Sequence, residues 1–163
     1  MHPVATNKRG HGRCAGLWGT YSMAGEEFYI AFIGTADRFA ALSRFFDRLV
    51  STKSAISETA TPDGVQELVR DSAWIDWLDN QAIEKATREG AWALEDILDC
   101  VLQGEYTLVA VTFDGRSGRL IYEPWAYPFG GTDALKALVE TFGLEVSRDS
   151  FHDGFAEWKK HNG

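Results

Sequence analysis

The sequence has few of the side chains that build metal or disulfide sites. It contains four histidines and two cysteines, and Cys14 and Cys100 lie far apart and outside any CxxC motif. A disulfide framework needs more cysteines, and a metal site needs a ligand set that this pattern does not supply. Two cysteines so placed suit a reducing compartment. The sequence therefore predicts a cytoplasmic protein without a disulfide framework or a bound metal.

A surplus of basic residues and a long apolar run are also missing. The chain carries 24 acidic against 16 basic residues, a formal net charge of −8. Nucleic acids and anionic membranes attract basic surfaces, so we expect binding to neither. The first 16 residues contain no apolar stretch typical of a signal peptide. Runs such as "FYIAFI" are far shorter than the roughly 20 residues that span a bilayer.

No stretch carries a common reaction or nucleotide-binding motif. A GxGxxG loop, a Walker lysine, a GxSxG elbow and an ExxH pair are all absent. His152 precedes Asp153, but neighbouring residues on a helix or turn do not face each other. No catalytic residue and no cofactor is therefore predicted. Catalysis by paired carboxylates stays open, because pairing in space is invisible in a sequence.

The patterns that are present predict one α+β domain over residues 17–163, after a disordered tail at 1–16. Its first part contains strands at 17–23 and 27–34, joined by a turn at Ala24-Gly25-Glu26. Both faces of the second strand are apolar, which indicates a position inside a sheet. An amphipathic helix at 36–50 and a short strand at 53–59 follow.

The C-terminal part shows a similar order of elements. Strands at 106–113 and 119–125 form a hairpin, a helix covers 132–142, and a strand covers 144–148. Gly34-Thr35 and Gly131-Thr132 precede the two similar helices. These matches predict an antiparallel or mixed sheet made from two ββαβ units. Residues 62–104 are interpreted as a helical insertion between the units, with a break near Glu89-Gly90.

Acidic residues are concentrated in and around the helical insertion. Twelve acids lie between Glu58 and Glu105, against the three basic residues Arg70, Lys85 and Arg88. The negative electrostatic field of these acids can steer a basic protein towards the surface. Tryptophans that lie between the acids can then anchor it, because their rings lose water on binding. The other interpretation is a solvated helix face that keeps the chain soluble. The candidate partner-binding residues are Asp71, Trp74, Asp76, Trp77, Asp79, Trp92, Glu95, Asp96 and Asp99.

A second candidate site follows the C-terminal hairpin, in "EPWAYPFGGT". Glycines at a helix N-terminus can present free N–H groups to an anion, and loop aromatics can line a pocket. The simpler interpretation is a chain reversal in which the Thr132 hydroxyl caps the helix, because Asp133 would repel an anion. The candidate ligand-binding residues are Trp125, Tyr127, Gly130, Gly131 and Thr132.

Two hypotheses about function result. The preferred one is a small acidic cytoplasmic protein that binds a basic partner protein through the helical insertion, for example as an inhibitor or immunity-like protein that neutralises a basic toxin. The alternative is an enzyme or small-ligand-binding protein with a pocket around Trp125, Tyr127 and the Gly130-Gly131 turn. The first is favoured because the concentration of acidic residues in this segment is the clearest compositional signal of the sequence, and because reaction motifs are absent.

Overall fold

The computed structural model describes residues 27–59, 61–125 and 131–153. Four strands and five α-helices are described in these ranges, together with a short 3-10 helix and a helical stretch that begins at Ser150. This content confirms the α+β class. In chain order the elements are β1 (Phe28–Ile33), α1 (Ala36–Thr59), α2 (Pro62–Arg70), the 3-10 helix (Ser72–Trp77), α3 (Asn80–Ala86), α4 (Leu94–Gln103), β2 (Tyr106–Phe113), β3 (Ser117–Pro124), α5 (Asp133–Thr141) and β4 (Glu145–Asp149).

The four strands form one antiparallel sheet in the order β2-β3-β1-β4. Because β1 and β2 are each antiparallel to β3, they run parallel to one another on either side of it. By the same reasoning, β3 and β4 run parallel and flank β1, with α5 as their connection. Two interleaved βαβ crossovers of this kind make the connectivity of a ferredoxin-like fold, here enlarged by α2 to α4.

One face of the sheet builds the core. Ile30, Phe32 and Leu120 are completely buried, and Tyr122 nearly so. They belong to a single apolar cluster with the helices, whose inward residues recur at three-and-four spacing. Those of α1 are Leu42, Phe45, Phe46 and Leu49, and those of α5 and its end are Leu135, Leu138, Val139 and Phe142. On the other face of β1, Tyr29 is half-buried. The guanidinium carbon of Arg119 lies 4.4 Å from the Tyr29 ring centre.

The predicted strand at 53–59 is wrong, because α1 continues as one helix of 24 residues to Thr59. Leu49, Lys53 and Ile56 follow the i, i+4, i+7 spacing of one helix face, and the first two are buried. The N-terminal part therefore lacks the last strand of a ββαβ unit. The order β2-β3-α5-β4 of the C-terminal unit is confirmed. The strand predicted at 17–23 and the tail predicted at 1–16 lie outside the described residues.

Glycine and proline mark several element boundaries, and the predicted break near Gly90 is confirmed. Gly90 takes a φ of +82° between α3 and α4, and Gly143 takes a φ of +76° directly after α5. Both angles are in the left-handed region, which glycine enters without a steric penalty. Strand β3 ends at Pro124, which has no N–H to continue the ladder. Within the described ranges, no helix combines the length and the apolarity that crossing a membrane requires.

Candidate protein-binding surface

The helical insertion folds through local caps. Thr61 accepts a hydrogen bond from the Gly64 N–H at the start of α2, where Pro62 occupies the first turn. The Asp71 carboxylate accepts from the Ala73 N–H, 3.0 Å away, and begins the 3-10 helix. Asp79 plays the same part for α3. Because each cap begins a new helix, the insertion is divided into short helices.

The insertion rests on the helices of the core. Helix α4 packs against α1, α2 and α5, while α3 packs against α5. The apolar side of α4 is completely or almost completely buried, and consists of Ile97, Leu98, Val101 and Leu102. These contacts hold the opposite, polar side of α4 in a fixed orientation at the surface.

A buried lysine fastens the C-terminal end of α4 to α1. The Lys53 Nζ donates to three carbonyl oxygens, those of Val101 at 2.9 Å, Leu102 at 3.0 Å and Gly104 at 2.7 Å. The last carbonyls of a helix have no partner within it and carry its negative dipole end, which suits an ammonium group. Burial lowers the pKa of Lys53 to about 8. The sequence pattern did not indicate this contact, because Lys53 was predicted to lie in a strand.

An ion pair fastens α3 to α1. Two guanidinium nitrogens of Arg38 lie 3.1 and 2.7 Å from the two carboxylate oxygens of Asp79. The Asp79 carboxylate also accepts from the Ala82 N–H, 2.9 Å away. The Arg38 hydrogen bond is the main cause that lowers the pKa of Asp79. Asp79, a candidate partner-binding residue, is therefore a structural residue whose charge is already paired.

The other acidic candidates face solvent. Asp71, Asp76, Glu95 and Asp96 are exposed, and Asp99 is half-buried. In the part of the chain that the structure describes, Asp79 is the one acid of the helical insertion that forms an ion pair. The negative charge of the insertion is thus left largely unneutralised at its surface.

Two open grooves lie along α2, and acidic residues line both of them. A groove of about 160 Å³ lies between α2 and the start of α4. It is lined by Gln66, Val69, Arg70, Glu95, Asp96 and Asp99. A second groove of about 600 Å³ is lined by Gly64, Glu67, Leu68, Arg70 and Asp71. The grooves share Arg70, so they meet along α2 and form one surface.

The three tryptophans of the insertion have different positions. Trp74 is only 2% exposed, and its indole N–H donates to the Leu68 carbonyl oxygen at 2.8 Å. The hypothesis that Trp74 contacts a partner is therefore wrong, because its ring fills the core beside Phe45. Trp77 and Trp92 are 44% and 43% exposed and remain candidates.

Two further apolar residues of the insertion are exposed, and the sequence pattern did not indicate them as candidates. Leu68 is 39% and Ile75 is 53% exposed. Ile75 lies next to Trp74 in a 3-10 helix, and the three-residue turn of that helix points neighbouring apolar side chains in different directions. The sequence pattern alone does not show which of them faces inward.

Cys100 lies in negatively charged surroundings on α4. Partial burial raises the pKa of its thiol, and the charges of Asp99 and Asp96 raise it further. A thiol of this kind is a poor nucleophile. Within 27–59, 61–125 and 131–153, no three His, Cys, Asp or Glu side chains come together as a possible metal-binding group.

The residues of the second candidate site are engaged in structural contacts where they are described. Gly131 takes a φ of +82° in the turn before α5. Thr132 is completely buried, and its hydroxyl donates to the Asp149 carboxylate. The predicted cap through this hydroxyl is wrong, since Thr132 makes no side-chain hydrogen bond to α5. The indole N–H of exposed Trp125 donates to the Thr107 hydroxyl at 2.7 Å. Tyr127 and Gly130 lie outside the described residues.

Comparison with known proteins finds no family model, no curated protein and no solved structure that matches this chain.

Proposed function

We propose that this chain is a cytoplasmic protein that binds a basic protein partner through the surface of its helical insertion. An inhibitor that neutralises a basic toxin, as an immunity protein does, is one protein of this kind. Unpaired carboxylates would attract the partner, and exposed rings would supply the apolar contact that holds it.

The observation that carries this proposal is the exposure of four large apolar side chains among the acids. Leu68, Ile75, Trp77 and Trp92 are between 39% and 53% exposed and all belong to residues 62–104. A face that only keeps the chain soluble needs its carboxylates but gains nothing from exposed indoles. Interface centres, by contrast, are enriched in tryptophan.

The test begins with co-purification from the source cells at low salt. Any recovered protein is then purified, and its affinity is measured against the wild-type chain and the double variant Glu95→Lys/Asp96→Lys. We expect a partner of high isoelectric point, bound tightly at low salt and released by salt, because exposed charges are screened at high ionic strength.

The matched control is Glu145→Lys, which reverses an exposed charge on β4. We expect the double variant to weaken binding at least tenfold and the control to leave it within about threefold. A partner that binds both variants equally well, or that is itself acidic, would show that this surface is not the binding site.

A further inference from the structure

The insertion already holds one arginine by stacking. The guanidinium carbon of Arg48 lies 4.6 Å from the ring centre of Trp74 and 5.1 Å from that of Trp77. Both distances fall within the roughly 6 Å reach of a cation–π contact. Arg48 thus supports the Trp77 ring from the protein side, while 44% of Trp77 remains exposed.

The insertion also holds one arginine by paired hydrogen bonds. Arg38 contacts both carboxylate oxygens of Asp79, as described above. The remaining exposed carboxylates offer the same acceptor geometry to a group from outside. Two of them, Glu95 and Asp96, follow the exposed Trp92 after only three and four positions of the chain.

Resting on the proposed function, we propose that the partner is recognised through arginine side chains, which stack on Trp77 and Trp92 and pair with neighbouring carboxylates. A guanidinium is planar, donates in a fork and is weakly hydrated, so it satisfies an indole face and a carboxylate together. An ammonium group is compact and strongly hydrated, and it lacks the fork.

Charge complementarity selects a cationic protein segment over other occupants. The stretch from Glu58 to Glu105 contains twelve acids and three basic residues, so the same surface of a second copy would repel it. An anionic lipid or a nucleic acid would be repelled for the same reason.

The test compares two peptides of equal charge, octa-arginine and octa-lysine, on the full chain in about 50 mM salt. Lysine also makes cation–π contacts but lacks the planar fork, so we expect octa-arginine to bind about three- to tenfold tighter. The variants Trp77→Leu and Trp92→Leu keep apolar bulk and remove the indole face. Each should reduce the preference for arginine, while Val109→Leu, at an exposed site on β2, should leave it unchanged.

Because the Trp77 ring contacts Arg48, a thermal melt must show that the Trp77→Leu variant is folded. The Trp92→Leu variant tests arginine recognition independently, at a second ring. Equal affinity for both peptides, or a preference for arginine that survives both leucine variants, overturns the inference and leaves the proposed function standing. Failure of both peptides to bind the wild-type chain at low salt contradicts the inference and the proposed function together.

Discussion

Arg38 and Asp79 lie 41 positions apart in the sequence and join two helices through a pair of hydrogen bonds. Arg38 is in the first turn of α1, and Asp79 is the N-cap of α3. Asp79 is therefore part of the fold, and its charge is paired within the chain. This distinguishes Asp79 from the exposed acids to which we assign partner binding.

We expect Asp79→Asn to lower the free energy of unfolding by about 1 kcal/mol. Asparagine keeps an acceptor for the Ala82 N–H and loses the charge of the ion pair. The two side chains are 16% and 33% exposed, so solvent screening keeps the effect modest. Urea unfolding at pH 7 measures it, with Asp76→Asn as an exposed control that should change stability by less than about 0.5 kcal/mol. Equal effects of the two substitutions would contradict a structural role of Asp79.

Acid should remove the difference between Asp79→Asn and the wild type. The pKa of Asp79 in the folded chain is lowered below the reference value of 3.8. Its contribution is then complete above pH 3.8 and disappears as the pH falls through the lowered folded value. Unfolding curves between pH 7 and pH 2.5 check this, and a gap that stays constant in acid would contradict it.

We expect Lys53→Met to cost about 2–3 kcal/mol, because three carbonyl oxygens at the end of α4 lose their donor. Lys136→Met is a suitable control. Lys136 is 29% exposed and pairs with exposed Asp133 at 2.7 Å and with buried Asp149 at 3.7 Å, so its loss should cost about 1 kcal/mol, less than that of Lys53. Urea unfolding at pH 7 compares the two. A smaller effect at Lys53 than at Lys136 would mean that water replaces the amine without difficulty.

The pH dependence of the Lys53 contribution has a definite sign. Burial lowers the pKa of Lys53 from 10.5 to about 8, so the folded chain releases this proton at a lower pH than the unfolded chain. Between these values the unfolded chain binds more protons, and the free energy of unfolding rises with pH. Burial raises the pKa of neighbouring Tyr106, which therefore stays neutral in this window. The stability gap between wild type and Lys53→Met should widen from pH 8 to pH 10. A gap that narrows would contradict the lowered pKa.

We expect Thr132→Val to lower the free energy of unfolding by about 1–3 kcal/mol, because buried Asp149 loses a hydrogen-bond donor. Thr141→Val is the matched control. The Thr141 hydroxyl is also buried, but it donates to the Ala137 carbonyl oxygen within the same helix. That acceptor has a backbone partner as well, so we expect a change within about 0.5 kcal/mol. Thermal melts of both variants decide, and an unchanged melting temperature for Thr132→Val would reopen its role in ligand binding.

The sequence predicted those parts of the fold that depend on local periodicity. The helix at 132–142 and its Gly143 end are confirmed because apolar residues recur along one face and glycine accepts the final left-handed angle. The break at Gly90 follows from the same conformational freedom. The α+β class follows from the succession of these patterns.

Contacts between distant residues could not be predicted. Residues 53–59 form a short, mostly polar stretch with little periodicity of its own, and the burial of Lys53 against three carbonyl oxygens of another helix is not visible in the sequence. In the same way, Trp74 and Trp77 have the same residue type and similar neighbours. Which one is buried depends on where Leu68 and Phe45 lie in space.

We propose that the helical insertion, with its exposed rings, is the face that binds the partner. An NMR titration of the ¹⁵N-labelled chain with octa-arginine at low salt tests it most directly, because each tryptophan gives a separate indole N–H signal that single substitutions assign. We expect the signals of Trp77 and Trp92 to shift and to return when salt is added. The signals of Trp74 and Trp125 should not shift. Their indole N–H groups donate hydrogen bonds within the chain, to the Leu68 carbonyl oxygen and to the Thr107 hydroxyl. Shifts that are largest at Trp125, or spread evenly over the chain, would show that the peptide does not bind at the helical insertion.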